Sequence, residues 1–357
     1  MRRFLANMLR WSPDGQPRPV QILTAMFGVV APIVLGAATG HLELGGAACI
    51  GSLALSGAEP GRDLREHLAA LTHAFVAGLA AMPIGAALAQ RPEAVVIGVP
   101  IVAALAATLG GMSRPLARAT TQFILFVVIA TSFAERGIAP LELTLAFVLG
   151  GAWTAAVSLL LRRLLPADVA SQDAAPAKPP LRALVRRWWR SLAGMTAWQY
   201  TVRISIALAV AEVLQYLWPG HHGHWIALTV AIVLRRQIQE GPTLTLQRAL
   251  GTLCGVALAA VLLLWSLPLW AVVLSVAALA GARPILRAGN YTAYAAIMTP
   301  LIILLMELGQ QPSASVIVDR LVATIVGCTL VFAADHLVWA RLFAHGPSGK
   351  EPPGDTP

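Results

Sequence analysis

The stretch Leu141-Glu-Leu-Thr-Leu-Ala-Phe-Val-Leu-Gly150-Gly-Ala-Trp-Thr-Ala-Ala-Val-Ser-Leu-Leu-Leu161-Arg162-Arg163 carries no charge from Leu143 to Leu161 and then ends on two arginines. Crossing a hydrocarbon layer takes about 20 mostly apolar residues in a helix. The run does not alternate apolar and polar residues, so it reads as a buried helix and not as a barrel strand. In a bilayer the backbone must satisfy its own hydrogen bonds, which a helix does within one segment. The arginines at its end mark the side on which the helix stops.

Runs of the same kind recur along the chain. The first half holds apolar spans near 21–40, 44–58, 67–89, 93–112, 117–134 and 141–163. The second holds spans near 198–218, 224–238, 245–266, 267–283, 288–307 and 317–341. Overall 57% of residues are hydrophobic and only 12% charged, with a mean hydropathy of +0.71. Soluble domains carry roughly 25% charged residues, so water is the wrong solvent for this chain. The fold class is therefore all-α, a polytopic membrane protein of about 12 transmembrane helices.

The net charge is +9. Because the basic residues sit between apolar runs, they orient the chain in a membrane, and nucleic acid is not an expected partner. With the N-terminus in the cytoplasm and twelve alternating spans, only Arg91, Arg136 and Arg320 among the lysines and arginines fall on the outer side. Both termini are expected to be cytoplasmic, in a bacterial inner (plasma) membrane. The Met1-Arg2-Arg3 start is interrupted by Asn7, Arg10 and Asp14 and reads as a basic cytoplasmic lead, not a cleaved signal. Cys49, Cys254 and Cys328 lie in apolar segments, with no disulfide framework or zinc spacing.

The domain reading is a first six-span repeat over 1–165, a linker over 166–196, a second six-span repeat over 197–341, and a disordered cytoplasmic tail over 342–357. Within the linker, Leu181 to Trp189 reads as a basic amphipathic helix on the membrane surface, with Trp188 and Trp189 as interfacial anchors. A shift of 180 residues lays Gly40-His41 on Gly220-His221, Gly61 on Gly241 and Thr72 on Thr252. A shift of 169 lays Pro115 to Ala119 on Pro284 to Ala288, which implies a longer segment in the first copy between its third and fifth spans. Six spans per copy is even, so the two copies are expected to be parallel repeats about an axis along the membrane normal.

The second half also carries His224-Trp225-Ile-Ala-Leu-Thr229, then Arg248-Ala-Leu-Gly251-Thr252-Leu-Cys-Gly255, Asn290-Tyr291, Met298-Thr299-Pro300-Leu301 and Arg320-Leu-Val-Ala-Thr324-Ile-Val-Gly327. This pattern resembles the fusaric acid resistance (FUSC) family, which includes bacterial aromatic acid exporters. The resemblance covers residues 197–341 well and the first half in outline; Leu68 stands where the second half has Arg248, and Leu143 or Thr144 where it has Arg320. It implies an inner-membrane transporter exporting aromatic or other organic acids at the expense of the proton gradient. It also suggests a relation to plant malate channels, with this chain a fused pseudo-dimer of six-span units. Its partners would be an organic anion, the lipid bilayer and a periplasmic adaptor protein; no cofactor is expected.

Candidate site residues follow. Trp225, Thr229, Arg248, Thr252, Thr299, Arg283, Arg287, Arg114 and Arg118 are expected along a substrate path. Arg283 and Arg287, like Arg114 and Arg118, are one helical turn apart and could attract carboxylates bidentately at a cytoplasmic mouth; the plainer reading is ordinary positive-inside charge. Gly251 and Gly255 share a helix face and suit close helix packing. Glu212 stands alone in an apolar run and is a candidate proton carrier, because hydrocarbon disfavours its charged form; the alternative is a helix end that reaches water. Asp335 with His336 is a second proton candidate, or a solvated helix-end pair. The spans near 44–58 and 224–238 are about 15 residues, or about 22 Å, short of a ~30 Å core, and short segments at matching positions point to a transporter's path. Trp225 would stack on an aromatic acid there, or serve as an outer-interface belt residue. His221, His222 and His224 lack a carboxylate or cysteine beside them, so no metal site is expected, and no Walker loop or catalytic triad spacing suggests an enzyme. A major-facilitator-type carrier and a non-transporting membrane scaffold are the alternative functions.

Overall fold

A computed structural model of the chain describes residues 11, 18–58, 63–165, 180–218, 221–236, 241–265, 267–310 and 314–335. Every regular element among them is helical. Six helices precede the linker: α1 Pro19–Thr39, α2 Leu42–Ser56, α3 Leu64–Leu88, α4 Pro92–Leu109, α5 Arg114–Ala134 and α6 Pro140–Leu164. The linker contributes α7, Leu181–Ser191. Six follow: α8 Met195–Leu217, α9 His224–Val233, α10 Gly241–Leu264, α11 Leu269–Gly289, α12 Tyr291–Met306 and α13 Ala314–Ala333. Linker residues 166–179, the far end of the last expected span, His336 and the 342–357 tail lie outside the described residues.

Local chemistry sets these boundaries. Asp63 accepts the Glu66 N–H at 2.7 Å, Ser113 that of Leu116 at 3.3 Å, and Asn290 that of Ala293 at 3.0 Å, each opening a helix. Prolines occupy the first turn of α1, α4, α5 and α6, where no backbone donor is lost. Pro32, Pro83, Pro100, Pro284 and Pro300 lie inside helices, which neighbouring helices tolerate in a bilayer.

Among the described residues, nine helices are long and apolar enough to cross a membrane, and α2, α9 and α12 are shorter apolar helices. The two spans expected to be short are indeed the enclosed ones. All but the first three residues of α2 are buried, and all of α9 except Ile232 is buried. The expected 224–238 span stops at Val233, and Leu234 turns extended. Such a break at depth survives only inside protein.

The packing repeats across the linker. In the first set α2 packs on α6, α3 on α5 and α6, α1 on α2, and α4 on α5; in the second α9 packs on α13, α10 on α12 and α13, α8 on α9, and α11 on α12. Contacts between the sets match too: α4 meets α8 as α11 meets α1, and α5 meets α9 as α12 meets α2. The 180-residue shift follows this correspondence. The 169-residue shift does not, because it lays the first turn of α5 on the end of α11, helices that are not counterparts. Proline and arginine recur at such helix ends for reasons of capping and charge placement, so that short match carries no register, and no longer segment separates the third and fifth helices of the first set.

The sets differ in how tightly they close. A methyl group on Gly150 would collide with the Ala48 carbonyl and one on Gly51 with the Phe147 carbonyl, so α2 and α6 touch backbone to backbone. Gly251 and Gly255 serve the same purpose against α12; a Cβ at Gly251 would sit 2.5 Å from the Thr292 carbonyl oxygen. In the second set the counterpart of the α2–α6 contact is Gly327, which meets the Thr229 side chain first and the Ile226 carbonyl less closely, so α9 and α13 are held further apart than α2 and α6.

Candidate functional site

Four helices of the second set converge on a group of buried polar side chains. On α9, Trp225 and Thr229 are one turn apart, and the Thr229 hydroxyl donates to the Trp225 carbonyl at 2.8 Å. On α13, Thr324 donates to the Arg320 carbonyl at 2.8 Å. On α10, Arg248 and Thr252 are again one turn apart. On α12, Thr299 donates to Ala295 at 3.0 Å and sits against Gly255. Trp225, Thr229, Thr252, Thr299 and Arg320 are 0% exposed, and Arg248 is 1% exposed.

The Arg320 guanidinium lies over the Trp225 ring, its central carbon 4.3 Å from the centroid. Its Nε, Nη1 and Nη2 have no hydrogen-bond partner among the described residues, and neither do Nε and Nη2 of Arg248, Nε1 of Trp225, Oγ1 of Thr252 or Nε2 of His224. Arg248 and Arg320 act on each other electrostatically, and the Cys328 thiol lies in the field of both. Nearly every unpartnered atom here can donate, and no carboxylate pairs with either guanidinium among the described residues. An unpaired charge inside a protein is unfavourable by several kcal/mol, whereas an oxyanion between two guanidiniums receives charge-assisted, often bidentate bonds.

Two expectations change here. Trp225 is fully enclosed, so it is no interfacial belt residue. One face of its ring is covered by Arg320, which makes it a seat for that side chain before it is a stacking surface for a substrate. Arg320, counted with the outer-side charges by the alternation of spans, lies within α13. A one-dimensional count puts a residue outside whenever it sits near a span's start, and the fold then covers it.

The remaining candidates are distributed around the end of the short helices. Arg283 on α11 donates to the Leu53 carbonyl and to the Ser56 hydroxyl, both at 3.0 Å, and Arg287 donates to the Gly57 carbonyl at 3.1 Å. This pair therefore caps the end of α2, where the Leu53 carbonyl also accepts the Gly57 N–H. Arg283 is buried and spends its Nη1 and Nη2 donors on α2, while Arg287 remains exposed. Arg114 and Arg118 are exposed at the start of α5 and do not join the buried arginines in one ring. The broken end of α9 is capped by Arg203, which donates to the carbonyls of Arg235 at 3.0 Å and Arg236 at 3.3 Å and pairs with the Asp335 carboxylate. Asp335 is thus neither solvated nor a free relay; it is 5% exposed and balances a fully buried arginine. Arg203 was not singled out from the sequence, where it looked like one more positive-inside charge. Its only signal was a lone arginine in an apolar run, nine residues before Glu212. Across the units, Arg236 donates to the Ala107 carbonyl of α4, the same contact that Arg287 makes to Gly57 with donor and acceptor sides exchanged.

Glu212 is 2% exposed, with Oε1 unpartnered, so it does not reach water. Its electrostatic neighbour is Glu135 at the end of α5, which accepts from Gln215 at 2.8 Å. Burial holds the Glu135 carboxyl above the ordinary carboxylate range, although the Gln215 bond and Arg136 pull it back. Nearby Arg136 pairs with Glu307 at 2.8 Å. The histidines find the acid that their local sequence lacks: His222 meets Asp319 at 2.8 Å. His221 lies against Trp218, and His224 against Trp225. Among the described residues no group of histidine, cysteine and acidic side chains could hold a metal ion.

Long apolar helices, two enclosed short ones and charges buried at depth define a multi-pass α-helical membrane protein. Residues 206–334 match the family model of fusaric acid resistance protein-like sequences. The matched range contains Glu212, Trp225, Arg248, Thr252, Thr299 and Arg320. Neither curated proteins nor solved structures give a match to the chain.

Proposed function

We propose that the protein is a membrane transporter for organic anions, with the carboxylate held between Arg248 and Arg320. The observation that carries this reading is the pair of buried guanidiniums in which Nε and Nη2 of Arg248 and Nε, Nη1 and Nη2 of Arg320 have no hydrogen-bond partner among the described residues. A scaffold protein would balance such charges internally, as Arg203 and Asp335 do. The family match and the membrane-length helices support transport as the activity. Aromatic or other organic acids are the proposed cargo, leaving the cell with proton coupling through Glu212, in a bacterial inner membrane with both termini cytoplasmic. The matched packing of the two helix sets supports two parallel six-helix repeats. On this reading the repeats have diverged. The first set, with Leu68 in place of Arg248 and backbone contact between α2 and α6, is the scaffold; the second holds the site. The major-facilitator alternative gains nothing from the fold, and the family match runs against it.

The experiment is flux of aromatic and aliphatic carboxylates through the purified protein in liposomes, with and without a pH gradient. Saturable flux that falls in Arg248→Gln and Arg320→Gln is expected. Absence of flux and of binding for every acid tested would overturn the reading.

A further inference from the structure

The linker helix α7 carries two parallel stripes. Leu181, Val185 and Trp189 recur at four-residue spacing, and Arg182, Arg186 and Arg190 run beside them at the same spacing. Together these six side chains line one open groove. Leu181 is 70% and Trp189 69% exposed, which for large apolar groups in water is unfavourable. No acidic residue lies between Asp173 and Glu212, so the neighbouring sequence offers the arginines no counter-charge. The opposite face is anchored: the Trp188 indole donates to the Thr108 carbonyl at 2.9 Å and its ring edge meets Gly111. Trp188 therefore faces protein, contrary to its expected place as a second lipid anchor, and only Trp189 faces outward.

We infer that this groove is a binding site for an anionic phospholipid. The acyl chain lies along Leu181, Val185 and Trp189, and the phosphate is held by Arg182, Arg186 and Arg190. Charge complementarity selects lipid as the occupant, because the site pairs an apolar stripe with a cationic one, and a free phosphate uses only the second. The site also touches the transport machinery. Trp188 grips the carbonyl of Thr108, and the preceding carbonyl, Ala107, receives Arg236 from the broken end of α9 at 2.6 Å. A lipid that fixes α7 steadies the end of α4 and, through Arg236, the end of the helix that bears Trp225.

The test uses the full chain in lipid nanodiscs of brominated phosphatidylglycerol or brominated phosphatidylcholine, which quench nearby indoles. The Trp189 contribution is the difference between the wild type and Trp189→Phe. Phosphatidylglycerol is expected to occupy the site in preference, by about five-fold for each arginine, and Arg182→Gln with Arg186→Gln and Arg190→Gln abolishes the preference. Inorganic phosphate at matched ionic strength leaves the quenching unchanged. Equal quenching by both lipids, or a preference that survives the three substitutions or is erased by phosphate, overturns the lipid site. In the same discs, amide exchange at residues 234–236 is slower in phosphatidylglycerol, and Trp188→Phe removes that difference while lipid binding persists. Exchange that ignores the lipid overturns the link to α9. Neither readout depends on transport, so failure of the anion reading is distinguishable.

Discussion

Replacing Arg320 by glutamine separates an anion site from a structural arginine, because the two give stability changes of opposite sign. In the wild type three guanidinium nitrogens are buried without a partner among the described residues. Burial of such a charge is unfavourable by several kcal/mol, and the Trp225 ring returns about 2 kcal/mol of that. Removing the charge should leave the anion-free protein as stable as before, or more so. Bound anion reverses the order. Losing two charge-assisted hydrogen bonds, each about 1.5–3 kcal/mol, with glutamine restoring one weaker bond, leaves a deficit of about 2–4 kcal/mol. That corresponds to a dissociation constant raised about thirty-fold or more. The assay is thermal unfolding of purified protein in detergent, with and without a carboxylate ligand. In the wild type, ligand at a hundred times its dissociation constant adds about 2.7 kcal/mol; in Arg320→Gln the ligand-dependent rise at that concentration should fall to about 0.9 kcal/mol or less while the ligand-free midpoint holds. A variant that unfolds earlier without ligand and still gains the full ligand-dependent rise would refute the reasoning.

Arg203→Gln should behave in the opposite way. It removes the Arg203 charge from the Asp335 carboxylate and the donors from the carbonyls of Arg235 and Arg236, a loss of about 3–5 kcal/mol, and adding Asp335→Asn should recover part of it in the same unfolding assay. Arg283→Gln should lower stability by about 1–3 kcal/mol, the cost of uncapping α2, with the half-saturating anion concentration in liposomes unchanged. Trp225→Ala should weaken aromatic and aliphatic acids to the same degree, since it removes the seat of Arg320; a selective loss of aromatic acids would restore Trp225 as a stacking surface.

The amino-acid sequence alone determined that this is a helical membrane protein, because runs such as Leu143 to Leu161 leave no other way to satisfy the backbone. It also placed most helix boundaries and the enclosed short helices, which follow from local apolar length and capping. It named Arg248, Thr252, Thr229 and Thr299 through the family pattern. Which charges are balanced was not legible, because balance depends on residues far apart in the chain. Arg203 finds Asp335, His222 finds Asp319, and Arg283 finds Leu53 only when α11 packs against α1 and α2. Arg320 seemed to stand at an outer edge until α9 covered it with Trp225. Spacing along one helix can say that two arginines share a face; only the tertiary structure decides whether that face meets the end of another helix, as at Arg283, or an enclosure where no carboxylate among the described residues pairs with the charge, as at Arg248 and Arg320.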